Sequence, residues 1–139
     1  METAKHMTRK LVTVSPHDSL ERARDLMDSG NFRHLPVVTN DKLVGILSHS
    51  DIGWNRPADA TVDQAMTPNP VTVEPTTTVE EAARLMLDHK ISAVPVVADG
   101  KAVGILSISD IVEAFLQIER SEAIVGLLGR TIGHGHMEF

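Results

Sequence analysis

The sequence predicts an α+β protein built from two copies of one β-α-β-β-α unit. Sliding the chain against itself by 59 residues aligns residues 7–53 with residues 66–112 without a gap, and 22 of the 47 aligned positions are identical. Apolar segments, amphipathic segments and turn signals follow in the same order in both copies. A repeat at one fixed spacing indicates a single supersecondary unit used twice.

Each copy opens with a short extended segment. The letters MT stand at 7–8 and 66–67, and the alternating VTV triplets stand at 12–14 and 71–73. Alternation of apolar and polar residues, ended shortly afterwards by proline, is typical of a short strand. We therefore predict that both copies begin with a short strand or an extended segment.

An amphipathic helix of about three turns follows in each copy. The patterns D-x-x-E at 18–21 and T-x-x-E at 77–80 predict capping boxes. Gly30 is expected to end the first helix, and the cations His89 and Lys90 favour the end of the second. The apolar positions at helical spacing are Leu20, Ala23, Leu26 and Met27, with Val79, Ala82, Leu85 and Met86 as their counterparts.

Two apolar runs and a turn come next, and they predict a β-hairpin. The turns are Asn40-Asp41 in the first copy and Asp99-Gly100 in the second, and Asp-Gly between two β-branched runs is a strong hairpin signal. The second run of each hairpin ends in Ser-x-x-Asp, within GILSHSDI at 45–52 and GILSISDI at 104–111. This pattern predicts the start of the last helix of the unit.

The predicted organisation has four parts: repeat 1 at 1–56, a linker at 57–65, repeat 2 at 66–119, and a C-terminal helix extension with a tail at 120–139. The last helix is expected to continue to Leu128, which makes it longer than its counterpart after Asp51. The extension either contacts a second subunit or completes its own core.

Composition excludes several classes of function. The chain has 139 residues, no cysteine, 13 basic and 19 acidic side chains, and a net charge of −6. Nucleic acid and anionic membranes are therefore disfavoured partners, because both bind through clustered Lys and Arg. The apolar runs are too short to span a bilayer, and no secretory leader is evident, so we expect a cytoplasmic protein. His134 and His136 in the tail lack a third ligand, and we expect no metal site and no catalytic residues.

The paired motifs MTRKLVTVSP and MTPNPVTVEP, FRHLPVV and ISAVPVV, and GILSHSDI and GILSISDI resemble a tandem pair of CBS (cystathionine β-synthase) domains. The resemblance covers nearly the whole chain. It implies a Bateman module with pseudo-two-fold symmetry and two clefts that commonly bind AMP, ADP, ATP or S-adenosylmethionine. It also implies a homodimer that regulates another protein, whose identity the sequence does not give.

The resemblance also implies the ligand-binding residues. Matching positions of the family hold adenine near the opening segment and the stretch before the proline, and hold ribose and phosphate at Ser-x-x-Asp. Carried onto this sequence, the second cleft has Met66, Val71, Ile91, Ser92, Ala93 and Pro95, the first has Met7, Val12, Phe32, Arg33, His34 and Pro36, and the Ser-x-x-Asp residues are Ser48, Asp51, Ser107 and Asp110. Candidate phosphate contacts are Arg9, Lys10 and His49.

Local physics alone offers a simpler interpretation of Ser-x-x-Asp. The serine is a helix N-cap and the aspartate completes the capping box, together contributing about 1 kcal/mol. A carboxylate can also accept hydrogen bonds from two ribose hydroxyls, and a helix N-terminus suits a phosphate. The two roles are compatible, and the apolar residues of the clefts are open to a core-packing interpretation as well.

The two copies are expected to be unequal. The first carries basic or titratable groups, such as Arg33 and His34, where the second has the small Ser92 and Ala93. We expect the second cleft to be the surer nucleoside site, and the first to be either richer in phosphate contacts or blocked.

The predicted function is a regulatory module that senses an adenosyl ligand and is not an enzyme. The alternative is a ligand-free dimerisation or interaction module.

Overall fold

The computed structural model describes residues 1–53 and 56–131, and it confirms the α+β class and the two repeats. A sheet of five antiparallel strands carries four α-helices, and short 3-10 turns precede the repeats. The strands are β1 (His34–Thr39), β2 (Lys42–Ser48), β3 (Thr67–Pro68), β4 (Ala93–Ala98) and β5 (Lys101–Ser107), the helices are α1 (Leu20–Gly30), α2 (His49–Ile52), α3 (Val79–His89) and α4 (Ile108–Thr131), and the 3-10 turns are Thr3–Lys5 and Val62–Gln64.

Both predicted hairpins are confirmed. β1 pairs with β2 and β4 pairs with β5, in matching registers with one irregularity each, after Val37 and after Val96. The two turn residues of each hairpin have positive φ, as the type I′ turn requires, with 51° and 67° at Asn40-Asp41 and 53° and 77° at Asp99-Gly100. A single pairing of Lys42 with Lys101 joins the hairpins, so the strand order is β1-β2-β5-β4.

The predicted opening strands are reduced to single parallel bridges, Val14 to Val37 and Val73 to Val96. Val14 donates its N–H to the carbonyl of Pro36 at 3.1 Å and accepts from the N–H of Val38 at 2.9 Å. Extension of the ladder is limited because Pro36 has no N–H to donate and Pro16 follows two residues later.

The predicted helix caps are displaced by one residue. The N-caps of α1 and α3 are Ser19 and Thr78, whose side chains accept from backbone N–H groups three residues later. Asp18 instead accepts from the N–H of Ser15, and Thr77 from the N–H of Glu74, so both close the preceding turn. The prediction of capping boxes at 18–21 and 77–80 is therefore wrong, because these side chains stabilise the turn that leads into the helix.

The helix ends agree with the sequence. α1 ends at Gly30 and α3 at His89, and the residues that follow, Asn31 and Lys90, adopt the left-handed conformation. The last helix begins after each Ser-x-x-Asp serine as predicted, with four residues in α2 and 24 in α4. Its expected continuation to Leu128 is confirmed, since α4 reaches Thr131.

Each repeat has its own hydrophobic core. Met27, Leu35 and Leu47 are fully buried in the first, and Val94 and Leu106 are fully buried in the second. Helices lie over the hairpins and bury their apolar stripe against them, which is why the helical spacing of apolar residues predicts this arrangement.

The opening segments of the two repeats are exchanged. Thr8 pairs with Ile105 of β5 in the second hairpin, and β3, which opens repeat 2, pairs with β2 in the first. Met7 accordingly packs in the second core, and Met66 packs against the first. The boundaries drawn from the sequence remain a prediction, but the packing units include a segment from the other repeat.

The glycine of each GIL motif allows this exchange. A Cβ at Gly45 would lie 2.6 Å from Met66 Sδ and 3.0 Å from the carbonyl oxygen of Thr67. A Cβ at Gly104 would meet Met7 Sδ, and it would lie 3.1 Å from the carbonyl oxygen of Thr8. Only glycine permits the exchanged backbone to approach β2 and β5 so closely.

The residues before each opening segment also hydrogen-bond to the other repeat. The N–H of Thr3 donates to the carbonyl of Thr77 at 2.8 Å, and the N–H of Val62 donates to that of Asp18 at 2.8 Å. Thr3 and Val62 are both fully buried, and they occupy equivalent positions 59 residues apart. Within the described part of the chain, the hydroxyl of Thr3 has no hydrogen-bond partner.

Replacing Thr3 with valine is expected to stabilise the protein by about 1 kcal/mol, because the change removes a buried and unpaired hydroxyl. Val62→Thr, the reverse change at the equivalent position, is expected to cost about 1–3 kcal/mol. Urea unfolding of both variants measures the free energies. A loss of stability in Thr3→Val would contradict this account.

Candidate functional site

A cavity of about 640 Å³ lies between the two repeats. Its lining comes from the first opening segment, from the start of the first hairpin, and from the end of β5 with the start of α4. The lining residues are Thr8, Lys10, Leu11, Val12, Asn31, Phe32, Arg33, His34, Pro36, Ser92, Ile105, Ser107, Ile108 and Ser109. The volume is in the range of small-molecule sites.

The exchange of opening segments builds one wall of this cavity. Thr8 donates to the carbonyl of Ile105 at 2.8 Å and accepts from its N–H at 3.1 Å. Val14 is bonded to β1, so the chain between Thr8 and Val14 crosses from the second hairpin to the first. Lys10 and Val12 belong to this crossing, and both line the cavity together with Ile105 and Ser107 from the end of β5.

The opposite wall is the N-terminus of α4. Ser107 Oγ accepts from the N–H of Asp110 at 3.2 Å, and Asp110 Oδ2 accepts from the N–H of Ser107 at 2.9 Å and from its hydroxyl at 3.1 Å. The first copy has the same reciprocal capping box between Ser48 and Asp51. The Ser-x-x-Asp residues are therefore helix caps in both repeats, as local physics predicts.

The polar lining of the cavity is basic. It includes Lys10, Arg33 and His34, and no Asp or Glu is among the lining residues. The charges of Lys10 and Arg33 add to the positive end of α4 at Ser107. Arg9, a candidate phosphate contact, is exposed and donates from Nη2 to the carbonyl of Ala4 at 2.7 Å.

His34 connects the two repeats at this cavity. Its Nε2 lies 3.1 Å from Ser92 Oγ, within hydrogen-bonding distance. Burial lowers the pKa of His34 below its ordinary value, and the Arg33 guanidinium lowers the pKa further, whereas the Asp51 carboxylate acts in the opposite direction. The lowered pKa of His34 favours the neutral form of the ring.

The cavity brings together ligand-binding residues that were predicted in different repeats. Five of the six residues assigned to the first cleft line the cavity, together with Lys10 and with Ser92 and Ser107 of the second copy. The five are Val12, Phe32, Arg33, His34 and Pro36. The cavity thus combines residues that the sequence analysis assigned to different clefts, because the exchanged segment places repeat 1 against the end of β5. Arg33 and His34 line the cavity and do not fill it, so it is not blocked.

The other predicted residues lie elsewhere. Met7, Ala93 and Pro95 are buried, and Met66 and Val71 pack against the cores. Ile91 lines a second, mostly apolar cavity of about 580 Å³ between α3 and α4, which also includes Ser92. His49 Nε2 lies 3.7 Å from Asp28 Oδ1 on the surface, and Asp51 and Asp110 are engaged in their caps.

Several lining residues were missed by the sequence analysis: Thr8, Leu11, Asn31, Ile105, Ile108 and Ser109. The repeat pattern gave no signal for them, because they come together only through the exchange. Ser109 stands two residues after the cap residue Ser107, within the Ser-x-x-Asp motif itself.

The described residues hold neither a metal-binding cluster nor a helix that could span a membrane. No group of three or more His, Asp or Glu residues suited to a metal ion occurs there, and His134 and His136 lie outside them. Within the same ranges, no helix combines the length and apolar character needed to cross a membrane.

The fold and the repeat agree with comparisons to known proteins. The CBS domain family model matches residues 4–52 and 62–117, and the chain therefore belongs to the CBS domain family. The CBS domain-containing protein YhcV of Bacillus subtilis is 32% identical over 110 residues, which cover 76% of this chain and 79% of the relative. Inosine-5'-monophosphate dehydrogenase of Korarchaeum cryptofilum is 38% identical over 104 residues, covering 74% of this chain but 22% of the enzyme. The chain thus spans about a fifth of the length of that relative.

Solved structures of CBS pairs are similar over most of the chain. Arabidopsis thaliana CBSX2, crystallised in complex with AMP, is 33% identical with a TM-score of 0.76, covering 85% of this chain and 98% of that one. The CBS domain pair of protein MJ0100, in complex with 5'-methylthioadenosine and S-adenosyl-L-methionine, is 30% identical with a TM-score of 0.77, covering 83% and 95%. Both neighbours hold adenosine-containing ligands.

The capping role of the aspartates can be measured without a ligand. Asp110→Ala and Asp51→Ala are each expected to lower the free energy of unfolding by about 1 kcal/mol, because each removes the carboxylate that accepts from the cap residue's N–H. Asp110→Asn keeps an acceptor and is expected to lose less. Thermal unfolding monitored by circular dichroism checks this, and an unchanged stability of both alanine variants would refute the capping role.

Proposed function

We propose that the protein is a regulatory module that binds an adenine nucleotide, or a related adenosyl ligand, in the cavity between its repeats. The single observation that carries the proposal is the composition of this cavity: apolar walls at Val12 and Phe32, a capped helix N-terminus at Ser107, and basic side chains. Apolar walls suit a base, and the helix N-terminus and the cations suit a phosphate. The ligands held by the related CBS pairs support the same choice.

Within this proposal, the candidate residues have distinct roles. Val12, Phe32 and Pro36 enclose the base, and the N–H groups at the start of α4 hold the phosphate together with Lys10 and Arg33. Asp110 is not among the lining residues, but it forms the cap of α4 with Ser107, which is, and it accepts from the ribose hydroxyls with Oδ1, since the cap engages Oδ2. The module acts without catalysis of its own, and it passes ligand occupancy to a partner protein through differential affinity for two states.

A variant that fills the cavity tests this proposal. Ser109 lies on the exposed first turn of α4 and lines the cavity, whereas Ser50, its equivalent in α2, does not. Ser109→Phe is expected to weaken AMP binding at least tenfold, about 1.4 kcal/mol, because the ring occupies the space of the ligand. Ser50→Phe is the matched control and is expected to bind AMP as the wild type does.

The measurement is calorimetric titration of AMP, ADP, ATP and S-adenosylmethionine into protein freed of any copurified ligand. Binding of none of the four by the wild type would overturn the adenosyl proposal. It would favour the second candidate function, a ligand-free interaction module in which Ser-x-x-Asp serves only as a cap. Equal binding by Ser109→Phe and the wild type would place the ligand outside this cavity.

The second candidate rests on an apolar surface formed by α3 and α4. Leu87 is 79% exposed and Phe115 is 56% exposed, and Ile108, Val112 and Leu116 are further exposed apolar residues in the part of α4 whose side chains are described. At positions equivalent to Leu87 and Ile108, repeat 1 has Asp28 and His49, which face each other at 3.7 Å. The apolar surface thus occurs once in the described chain.

We propose that two copies of the chain associate through this surface in a homodimer. A surface that is present once per chain is buried in both subunits when they are related by a two-fold axis. The surface and the cavity between the repeats share Ile108, and the other residues of the two sets differ.

Introducing a charge into this surface is expected to prevent self-association. Leu87→Glu and Phe115→Glu each place a carboxylate in the apolar contact, and we expect both variants to be monomeric at concentrations where the wild type is a dimer. Thr13→Glu, an exposed position of repeat 1, is the control. Sedimentation equilibrium measures the masses, and a wild type that is monomeric throughout would refute the homodimer.

A further inference from the structure

His34 is a feature of the cavity that the repeat does not explain. The equivalent residue of repeat 2 is Ala93, so only one copy carries a titratable ring at this position. The ring is half-buried at the start of β1, lines the cavity, and lies 3.1 Å from Ser92 Oγ of the other repeat. It is thus the titratable side chain that links both repeats at the cavity wall.

The charges around the ring favour its neutral form when the cavity holds no anion. Arg33 precedes it, and Lys10 also lines the cavity. Burial and the Arg33 charge lower the pKa of His34, and Asp51, in the first turn of α2, opposes them only in part. β2 offers the uncharged Ser48 opposite His34, and across the repeats the partner is Ser92.

The other charged groups nearby have partners of their own. His49 donates its backbone N–H to the carbonyl of Arg33 at 2.8 Å, and its ring Nε2 lies 3.7 Å from Asp28 Oδ1. Asp110, at the start of α4, is held by Ser107 through Oδ2. An anion entering the cavity is therefore the group best placed to change the balance at His34.

We propose that His34 makes ligand binding proton-linked: the ring is neutral in the ligand-free protein and takes up a proton when an anionic group occupies the cavity. The inference rests on the proposed function, and it adds selection by charge, because the protonated ring attracts a phosphate and repels a sulfonium cation. AMP, ADP and ATP are thereby preferred over S-adenosylmethionine.

The hydrogen bond to Ser92 is compatible with both states of the ring. A hydroxyl is a donor and an acceptor, so Ser92 donates to a neutral Nε2 and accepts from a protonated one after rotation of its hydroxyl. Protonation therefore requires no break in the contact between the repeats. An alanine in place of Ser92 would leave the charged His34 ring without this acceptor.

The direction in which the affinity for AMP changes with pH is set by the change in the pKa of His34 on binding. A bound phosphate raises the pKa of His34 above its value in the ligand-free protein, so binding takes up protons and strengthens as the pH falls between these two values. Below both values the ring is charged in either state, and its contribution to the pH dependence ends. The phosphate of AMP also titrates, with a second pKa of about 6, and this contribution must be subtracted.

The test compares proton uptake on binding of AMP by the wild type and by His34→Gln. Glutamine keeps a hydrogen-bonding group near Ser92 but does not titrate. Calorimetry at pH 7 in two buffers of different ionisation enthalpy gives the number of protons taken up, and the variant reports the contribution of the phosphate itself. His17→Gln, at an exposed position before α1, is the control for replacing a histidine. Adenosine, which lacks the phosphate, is the control ligand.

We expect the wild type and His17→Gln to take up more protons with AMP than His34→Gln does, and adenosine to cause no uptake at His34. Between pH 7 and pH 6, the affinity of the wild type for AMP should rise relative to that of His34→Gln by up to about tenfold. Equal uptake in the wild type and His34→Gln would overturn the inference while leaving the proposed function intact. Absence of AMP binding by the wild type would overturn both.

An NMR titration of His34 in the wild type tests the same point if His34→Gln does not fold. The pKa of the ring is expected to rise when AMP is added. An unchanged pKa at saturating AMP would contradict the inference.

Discussion

The structure depends on one constraint, the exchange of the opening segments between the two hairpins. Thr8 is held by two hydrogen bonds to Ile105, and Thr67–Pro68 pairs with β2 at Gly45 and Ile46. The methionine before each of these segments enters the core of the other repeat, and the glycine of each GIL motif leaves room for it. Neither repeat completes its packing without the other, so the pair is expected to unfold as one unit.

The exchange also produces the cavity. The chain that leaves Thr8 must return to β1 at Val14, and on the way it covers the end of β5 and the N-terminus of α4. A single repeat has either the hairpin start or the helix N-terminus of this cavity, but not both. A ligand that bridges them reports on the relative position of the repeats, which is what a regulatory module needs.

The fold was largely predictable from the sequence, and the cavity only in part. Turn residues and helical spacing predict the hairpins and helices because they act over a few residues, as at Asp99-Gly100 and along α3. The caps at Ser19 and Thr78 were missed by one residue, since Asp18 and Thr77 can serve either the helix or the turn. Family resemblance supplied the candidates Val12, Phe32 and Ser107. Their combination in one cavity depends on contacts about 60 to 100 residues apart, which no local pattern encodes.

The central claim is that one cavity assembled from both repeats holds the adenosyl ligand. A crystal structure of the protein with AMP tests this claim most directly. The account predicts the base between Val12 and Phe32, and the phosphate at the start of α4 within hydrogen-bonding distance of the N–H groups that follow Ser107. An AMP molecule bound only by residues of one repeat, or seated in the apolar cavity between α3 and α4, would contradict it.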